Sequence, residues 1–164
     1  EMFNVHASGG SKMMGMVKGK IDELFPIEAS PAVRPLAIAI TVLTSLGQKG
    51  IEEIGYNCTI NELVMRLATL TKSAGLNGVV ASPLEAKMLR AEFGPDFLIV
   101  TPGIRFAEES KGGQIRVTTP KEAIANGADM IVMGTSLING GFSAVQRAYQ
   151  EIAEGLEERQ KKFE

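Results

Sequence analysis

Three segments of the chain repeat one pattern, and that pattern restricts the fold to a sheet of parallel strands. Each opens on a hydroxyl residue with glutamate three places on: Thr59-Ile-Asn-Glu62, Ser82-Pro-Leu-Glu85 and Thr119-Pro-Lys-Glu122. This spacing predicts a capping box, in which the hydroxyl accepts from an otherwise free helical amide and the glutamate reaches back to the cap residue. Two of the three carry proline at the first helical position, where a missing N–H costs nothing. Each helix then runs to a glycine, Gly75, Gly94 or Gly127, where a left-handed residue would end it. An apolar run follows each time, over residues 76–81, 97–101 and 128–133. Helix-then-strand units repeated in this way imply parallel strands joined by helical crossovers.

The rest of the chain extends the series. Residues 2–7 read as a strand, Gly9-Gly10 as a turn, and residues 11–25 as a helix. A proline-rich connection from Pro26 to Pro35 leads into an apolar strand over 36–41, and Ser143 caps a terminal helix. In that helix Val145, Ala148, Tyr149, Ile152 and Leu156 share one stripe. No linker divides the chain, so residues 1–164 form a single domain of about five βα units. Five strands suffice for an open doubly wound sheet, whereas a closed barrel needs about eight. In either case the first strand begins as an exposed edge, and a five-unit piece is expected to self-associate or to need a partner chain.

Composition removes several classes of function. The net charge of −2, with no dominant basic face, leaves no electrostatic footprint for nucleic acid or an anionic membrane. The most charged stretch, Glu157-Glu-Arg-Gln-Lys-Lys-Phe-Glu164, mixes signs and reads as a solvated helix end. Cys58 stands alone, which excludes an internal disulfide and fits a reducing compartment. With one histidine, His6, beside one cysteine there is no zinc-like ligand cluster, and His6 reads as structural. No apolar run can span a bilayer and the start does not resemble a signal peptide, so the expected location is the cytoplasm.

Chemistry enters at Phe97-Leu-Ile-Val-Thr-Pro-Gly-Ile-Arg105. A buried strand stops at a Pro-Gly turn and delivers a guanidinium to the strand end, where parallel sheets carry their binding loops. Arg105 is thus placed to grip an anion, phosphate first among them; the plain alternative is a surface salt bridge.

Six segments occur in an order and spacing that resembles one family. They are Asn4-Val-His-Ala-Ser-Gly-Gly10, Thr41-Val-Leu-Thr-Ser45, Gly75-Leu-Asn-Gly-Val-Val-Ala-Ser82, Thr101-Pro-Gly-Ile-Arg105, Gln114-Ile-Arg-Val117 with Thr119-Pro120, and Gly127-Ala-Asp-Met-Ile-Val-Met-Gly134. Together they are similar to the fourth through eighth strands of orotidine 5′-phosphate decarboxylase, a parallel α/β barrel of eight βα units. The resemblance implies a carboxy-lyase of pyrimidine biosynthesis that converts orotidylate to uridine 5′-monophosphate. It also implies no cofactor, no metal, and a homodimer whose subunits share active sites.

The same resemblance assigns roles. Thr44 matches the residue that hydrogen-bonds the pyrimidine, with Ser45 beside it, and Pro102 is counted among the substrate-binding residues. Arg105 and Gln114 match phosphate-side contacts, the glutamine reaching also toward the base. Gly134 matches the glycine whose backbone N–H meets the phosphate. Helix caps, a loop amide and a tight turn are the corresponding plain readings of Thr44 and Ser45, Gln114 and Gly134.

The departures are specific. The family's Asp-x-Lys-x-x-Asp catalytic segment occurs nowhere in these residues. Asp22-Glu23 and Glu52-Glu53 read instead as solvated charges without a lysine in register. The arginine that follows the last strand's glycine is replaced by Thr135, with Ser136 next. Gly113 replaces the aspartate before Gln114, and Phe142-Ser143 the Asp-Pro that opens the last helix. Without the lysine and its carboxylates the remaining groups bind but donate no proton to a carbanion. Losing one charge-assisted fork removes about 1.5–3 kcal/mol, although hydroxyls of Thr135 and Ser136 remain as weaker donors. The alternative reading is a non-catalytic barrel remnant or phosphometabolite-binding fragment. A different phosphosugar enzyme on the same barrel fits the Thr41–Ser45 and Thr101–Arg105 segments poorly.

Overall fold

The computed structural model describes residues 1–26, 34–109 and 116–161; most of the Pro26–Pro35 connection lies outside them. Five strands form one sheet: β1 (Met2–His6), β2 (Leu36–Ile40), β3 (Gly78–Val80), β4 (Leu98–Thr101) and β5 (Met130–Ile131). All neighbours are parallel and the spatial order is the chain order, β1-β2-β3-β4-β5. A doubly wound sheet reverses its strand order at a switch point, whereas a barrel adds strands one after another. The consecutive order therefore selects the barrel, with five units of its arc present.

The helices between the strands are α1 (Gly10–Leu24), α2 (Gln48–Glu53), α3 (Ile60–Ser73), α4 (Ala86–Phe93), α5 (Pro120–Ala125) and α6 (Thr135–Lys161). Two of the three expected capping boxes close, at Thr59–Glu62 and Thr119–Glu122. Hydrogen bonds from Thr118 and Thr119 hold the Glu122 carboxyl below its ordinary range. The third box does not form. Ser82 accepts from the amide of Leu84, α4 begins only at Ala86, and Glu85 turns into the interior toward Arg116. The buried Arg116 guanidinium takes that carboxylate instead. Gly75, Gly94 and Gly127 all have positive φ, as the helix ends require.

The main core lies between the sheet and α1, α3 and α4, with Met14, Val64, Leu89, Val79 and Ile99 fully enclosed. Gly78 is needed at its position in β3, because a Cβ there would collide with the carbonyl of Leu98 on the neighbouring strand. β5 is shorter than the apolar run suggests, two residues against six, although the Val132 amide still bonds the Thr101 carbonyl at 2.9 Å.

Beyond β5 no described element covers the sheet. The expected stripe on α6 is accordingly open: Ala148 is buried, but Tyr149 and Leu156 are exposed. With Ile131, Met133 and Leu137 the stripe lines an apolar groove rather than a sealed interface. α6 also breaks at Gly141, whose φ of 59° and ψ of −147° interrupt the helix, and the Ser143 hydroxyl donates to the Gly140 carbonyl there. Asp22 and Glu23 are exposed as expected. Each nevertheless has a lysine in register, Lys18 at 2.5 Å and Lys20 at 2.6 Å, since helical spacing brings residues three and four apart together.

Candidate functional site

The loops leaving β2, β3 and β4 meet at the carboxyl ends of their strands and enclose a cavity of about 270 Å³. Thr44, Ser45, Val80, Ala81 and Pro102 line it. Thr44 is buried in the wall while Ser45 is exposed at the mouth. Gly103 (φ 78°) turns the chain after Pro102, and a Cβ at that position would stand 3.6 Å from the Thr44 side chain and 3.0 Å from the Arg116 carbonyl. The positive φ and the tight carbonyl together require glycine.

Arg105 follows on the same rim. Its amide bonds the Thr118 carbonyl at 3.0 Å, and Ile104 pairs with Thr118 in an isolated parallel bridge. The half-buried guanidinium donates to the Ile104 carbonyl at 2.9 Å. Gly134 and Thr135 lie at the carboxyl end of β5, both exposed, with open space on the side where a Gly134 Cβ would point. An anion can therefore approach the Gly134 backbone closely. Gln114 lies outside the described residues.

Ser136 is not available to a ligand. It is buried and donates to the Glu109 carboxylate at 2.5 Å, which also accepts from the Phe106 amide at 3.1 Å. The Arg147 guanidinium lies 4.1 Å from the Phe106 ring centre and pairs with Glu108, holding that carboxyl down at about 2. These contacts fasten the loop carrying Arg105 to α6, so the hydroxyl is spent on the scaffold. His6, read as structural, is exposed at the end of β1.

Sequence reasoning read Glu85 only as a capping residue and did not single out Arg116, yet the two form a buried ion pair. Burial pushes the Glu85 carboxyl above its ordinary range, with the Arg116 charge pulling it back. The one available signal was Arg116 itself, two residues after Gln114 in a segment otherwise read for its glutamine.

The opposite ends of the strands have a different character. Arg90 is buried and donates to the carbonyls of Gly127 (2.9 Å), Phe97 (3.1 Å) and Gly94 (2.5 Å) and to Asp129 (2.5 Å). The Asp129 carboxylate also accepts from the Ile99 amide at 2.8 Å. A larger cavity of about 810 Å³ lies here, bordered by Lys87, Arg90 and Arg159, but the Arg90 guanidinium facing it is committed to main-chain carbonyls. Among the described residues no group of three or more potential metal ligands occurs, and no helix is long and apolar enough to cross a membrane.

Consecutive parallel strands with polar loops gathered at their carboxyl rim define this chain as part of a parallel β/α barrel. A family model described as "Orotidine 5'-phosphate decarboxylase / HUMPS family" matches residues 1–151, and the chain belongs to that family. A protein from Syntrophotalea carbinolica named orotidine 5′-phosphate decarboxylase is 43% identical over 159 residues, covering 96% of this chain and 64% of that protein. A relative of the same name from a Marinomonas species is 48% identical over 133 residues, covering 81% and 54%. The crystal structure of orotidine 5′-phosphate decarboxylase from Lactobacillus acidophilus superposes with a TM-score of 0.74 at 34% identity, covering 92% of this chain and 62% of that one. The crystal structure of orotidine 5′-monophosphate decarboxylase from Sulfolobus solfataricus shares the fold, with a TM-score of 0.61 at 19% identity. The chain thus spans between half and two thirds of the length of the curated relatives it matches.

Proposed function

We propose that this chain is the nucleotide-binding part of an orotidine 5′-phosphate decarboxylase, a carboxy-lyase that converts orotidylate to uridine 5′-monophosphate. The observation that carries the reading is the grouping of Thr44, Ser45 and Pro102 around one cavity, with Arg105, Gly134 and Thr135 at strand ends on the same rim. The pyrimidine is held by Thr44 and Ser45. The phosphate is held by Arg105 and Gln114 and by the Gly134 amide, with Thr135 as a neutral donor. No cofactor is invoked. The protein acts in the cytoplasm as a homodimer.

The proton donor for the carbanion is not supplied by these residues, since no Asp-x-Lys-x-x-Asp segment is among them. That fact favours one second reading, a phosphometabolite-binding fragment without catalysis. Both readings require the phosphate grip, and calorimetric titration with uridine 5′-monophosphate tests it. Saturable binding is expected; no heat at millimolar ligand would overturn the nucleotide reading and favour a non-catalytic remnant. Mixing the chain with a separately made segment bearing the Lys/Asp array, and following orotidylate loss, distinguishes the two.

Thr135→Arg is expected to tighten nucleotide binding. The fork contributes about 1.5–3 kcal/mol, or about tenfold to a hundredfold in affinity; the cation at the start of α6 costs about 0.3–1 kcal/mol of stability against the helix dipole. An unchanged dissociation constant would remove Thr135 from the phosphate site.

The homodimer has a separate check. Phe3 on β1, Met130 on β5, and Val132, Ile138 and Tyr149 after it are exposed apolar groups toward the two edges of the sheet. Sedimentation is expected to show dimers or larger species. A monodisperse monomer that unfolds cooperatively would refute the expectation.

A further inference from the structure

We propose that Arg116 is a positioning residue: it staples the loop after β2 so that Thr44 faces the nucleotide cavity, and Glu85 holds its guanidinium for that task. The inference rests on the nucleotide reading above for its ligand, and on the contacts of Arg116 alone for its mechanism.

One residue meets three consecutive carbonyls of that loop. The Arg116 guanidinium donates to Val42 at 3.1 Å and to Leu43 at 3.0 Å, and its amide donates to Thr44 at 3.4 Å. Its own carbonyl accepts from the Ser82 hydroxyl at 3.5 Å, and its other terminal nitrogen pairs with Glu85. Arg116 thus ties the loop after β2 to the one after β3. With the 42–44 carbonyls turned inward onto Arg116, the Thr44 side chain is left on the cavity wall.

The pair is poorly arranged for stability alone. Both side chains are buried, yet one Glu85 oxygen and the Arg116 Nε have no hydrogen-bond partner among the described residues. Buried pairs often contribute no more than apolar groups of the same size, and unsatisfied atoms worsen the balance. Glu85 also gives up its place in a capping box to reach Arg116. What the arrangement secures is direction: a planar fork meets the carboxylate and two carbonyls at once, which a lysine ammonium on a flexible stem does not.

The test uses the double variant Glu85→Gln/Arg116→Met, which leaves no lone buried charge, and Arg116→Lys in case the double variant fails to fold. Hydrogen exchange is read at the Leu46 amide, which bonds the same Leu43 carbonyl that Arg116 holds, against amides of α3 as control. Exchange at Leu46 is expected to rise about tenfold with α3 unchanged. Uridine 5′-monophosphate affinity is expected to fall about tenfold. In a Thr44→Ala background the same change is expected to fall to less than about twofold, because Arg116 acts through Thr44. Unchanged exchange at Leu46, or an undiminished affinity loss in the Thr44→Ala background, overturns the proposal. If the unaltered chain binds no nucleotide, the functional reading fails, while the exchange comparison still decides whether Arg116 staples the loop.

Discussion

Arg90→Ala is expected to lower the unfolding free energy by about 3–5 kcal/mol, the cost of removing one partner from a buried charge pair. Four main-chain or carboxylate partners lose their donor together: the carbonyls of Gly94, Phe97 and Gly127, and Asp129. Asp129 would then stand over the start of β4 with only Ile99 and, at 3.8 Å, Arg159 nearby. Lysine is not expected to rescue, since one ammonium cannot satisfy partners that a planar fork reaches from three nitrogens. Urea denaturation followed by circular dichroism checks the effect. A loss below about 1 kcal/mol would mean that the cluster behaves as a surface ion pair.

Arg105→Ala is expected to do the reverse. Its guanidinium makes one bond, to the carbonyl of the preceding residue, and supports no other element among the described residues. Its removal is expected to leave the midpoint of unfolding nearly unchanged. Nucleotide affinity, however, is expected to fall about tenfold to a hundredfold, the worth of a charge-assisted bond to phosphate. Calorimetry with uridine 5′-monophosphate, set beside denaturation of the same variant, measures both quantities. Equal binding by the variant and the parent would remove Arg105 from the site.

The two arginines lie at opposite ends of the same strand, and the contrast follows from barrel geometry. At the amino ends of the strands, Arg90 and Asp129 absorb main-chain groups left over from helix ends and strand starts. At the carboxyl ends the loops after β2, β3 and β4 gather around a cavity instead. On the proposed function, stability and binding are separated along β4 by the length of one strand, as parallel barrels separate them in general.

Much of the architecture was legible in local signals. Thr59 and Thr119 announce helix starts because their partners lie three residues away, and no distant group competes for Glu62 or Glu122. The glycines at 75, 94 and 127 announce helix ends because the backbone there adopts positive φ. The apolar run before Pro102 shows where Arg105 would emerge. Where local reasoning failed, a distant partner had intervened. Glu85 left its capping box for Arg116, 31 residues away in sequence. Ser136 was lost to Glu109, and the α6 stripe is covered on one side only, with Tyr149 and Leu156 left exposed.

What the sequence determined by itself is therefore the set of βα units, their order, and the residues delivered to the strand ends. These depend on interactions within a few positions of the chain. The tertiary structure alone decided that the strands lie side by side in chain order, that Thr44 and Pro102 share a cavity wall, and that Arg116 holds the Thr44 loop. Those facts depend on which distant groups lose their water together, and buried charges take whichever partner the packed interior brings within reach.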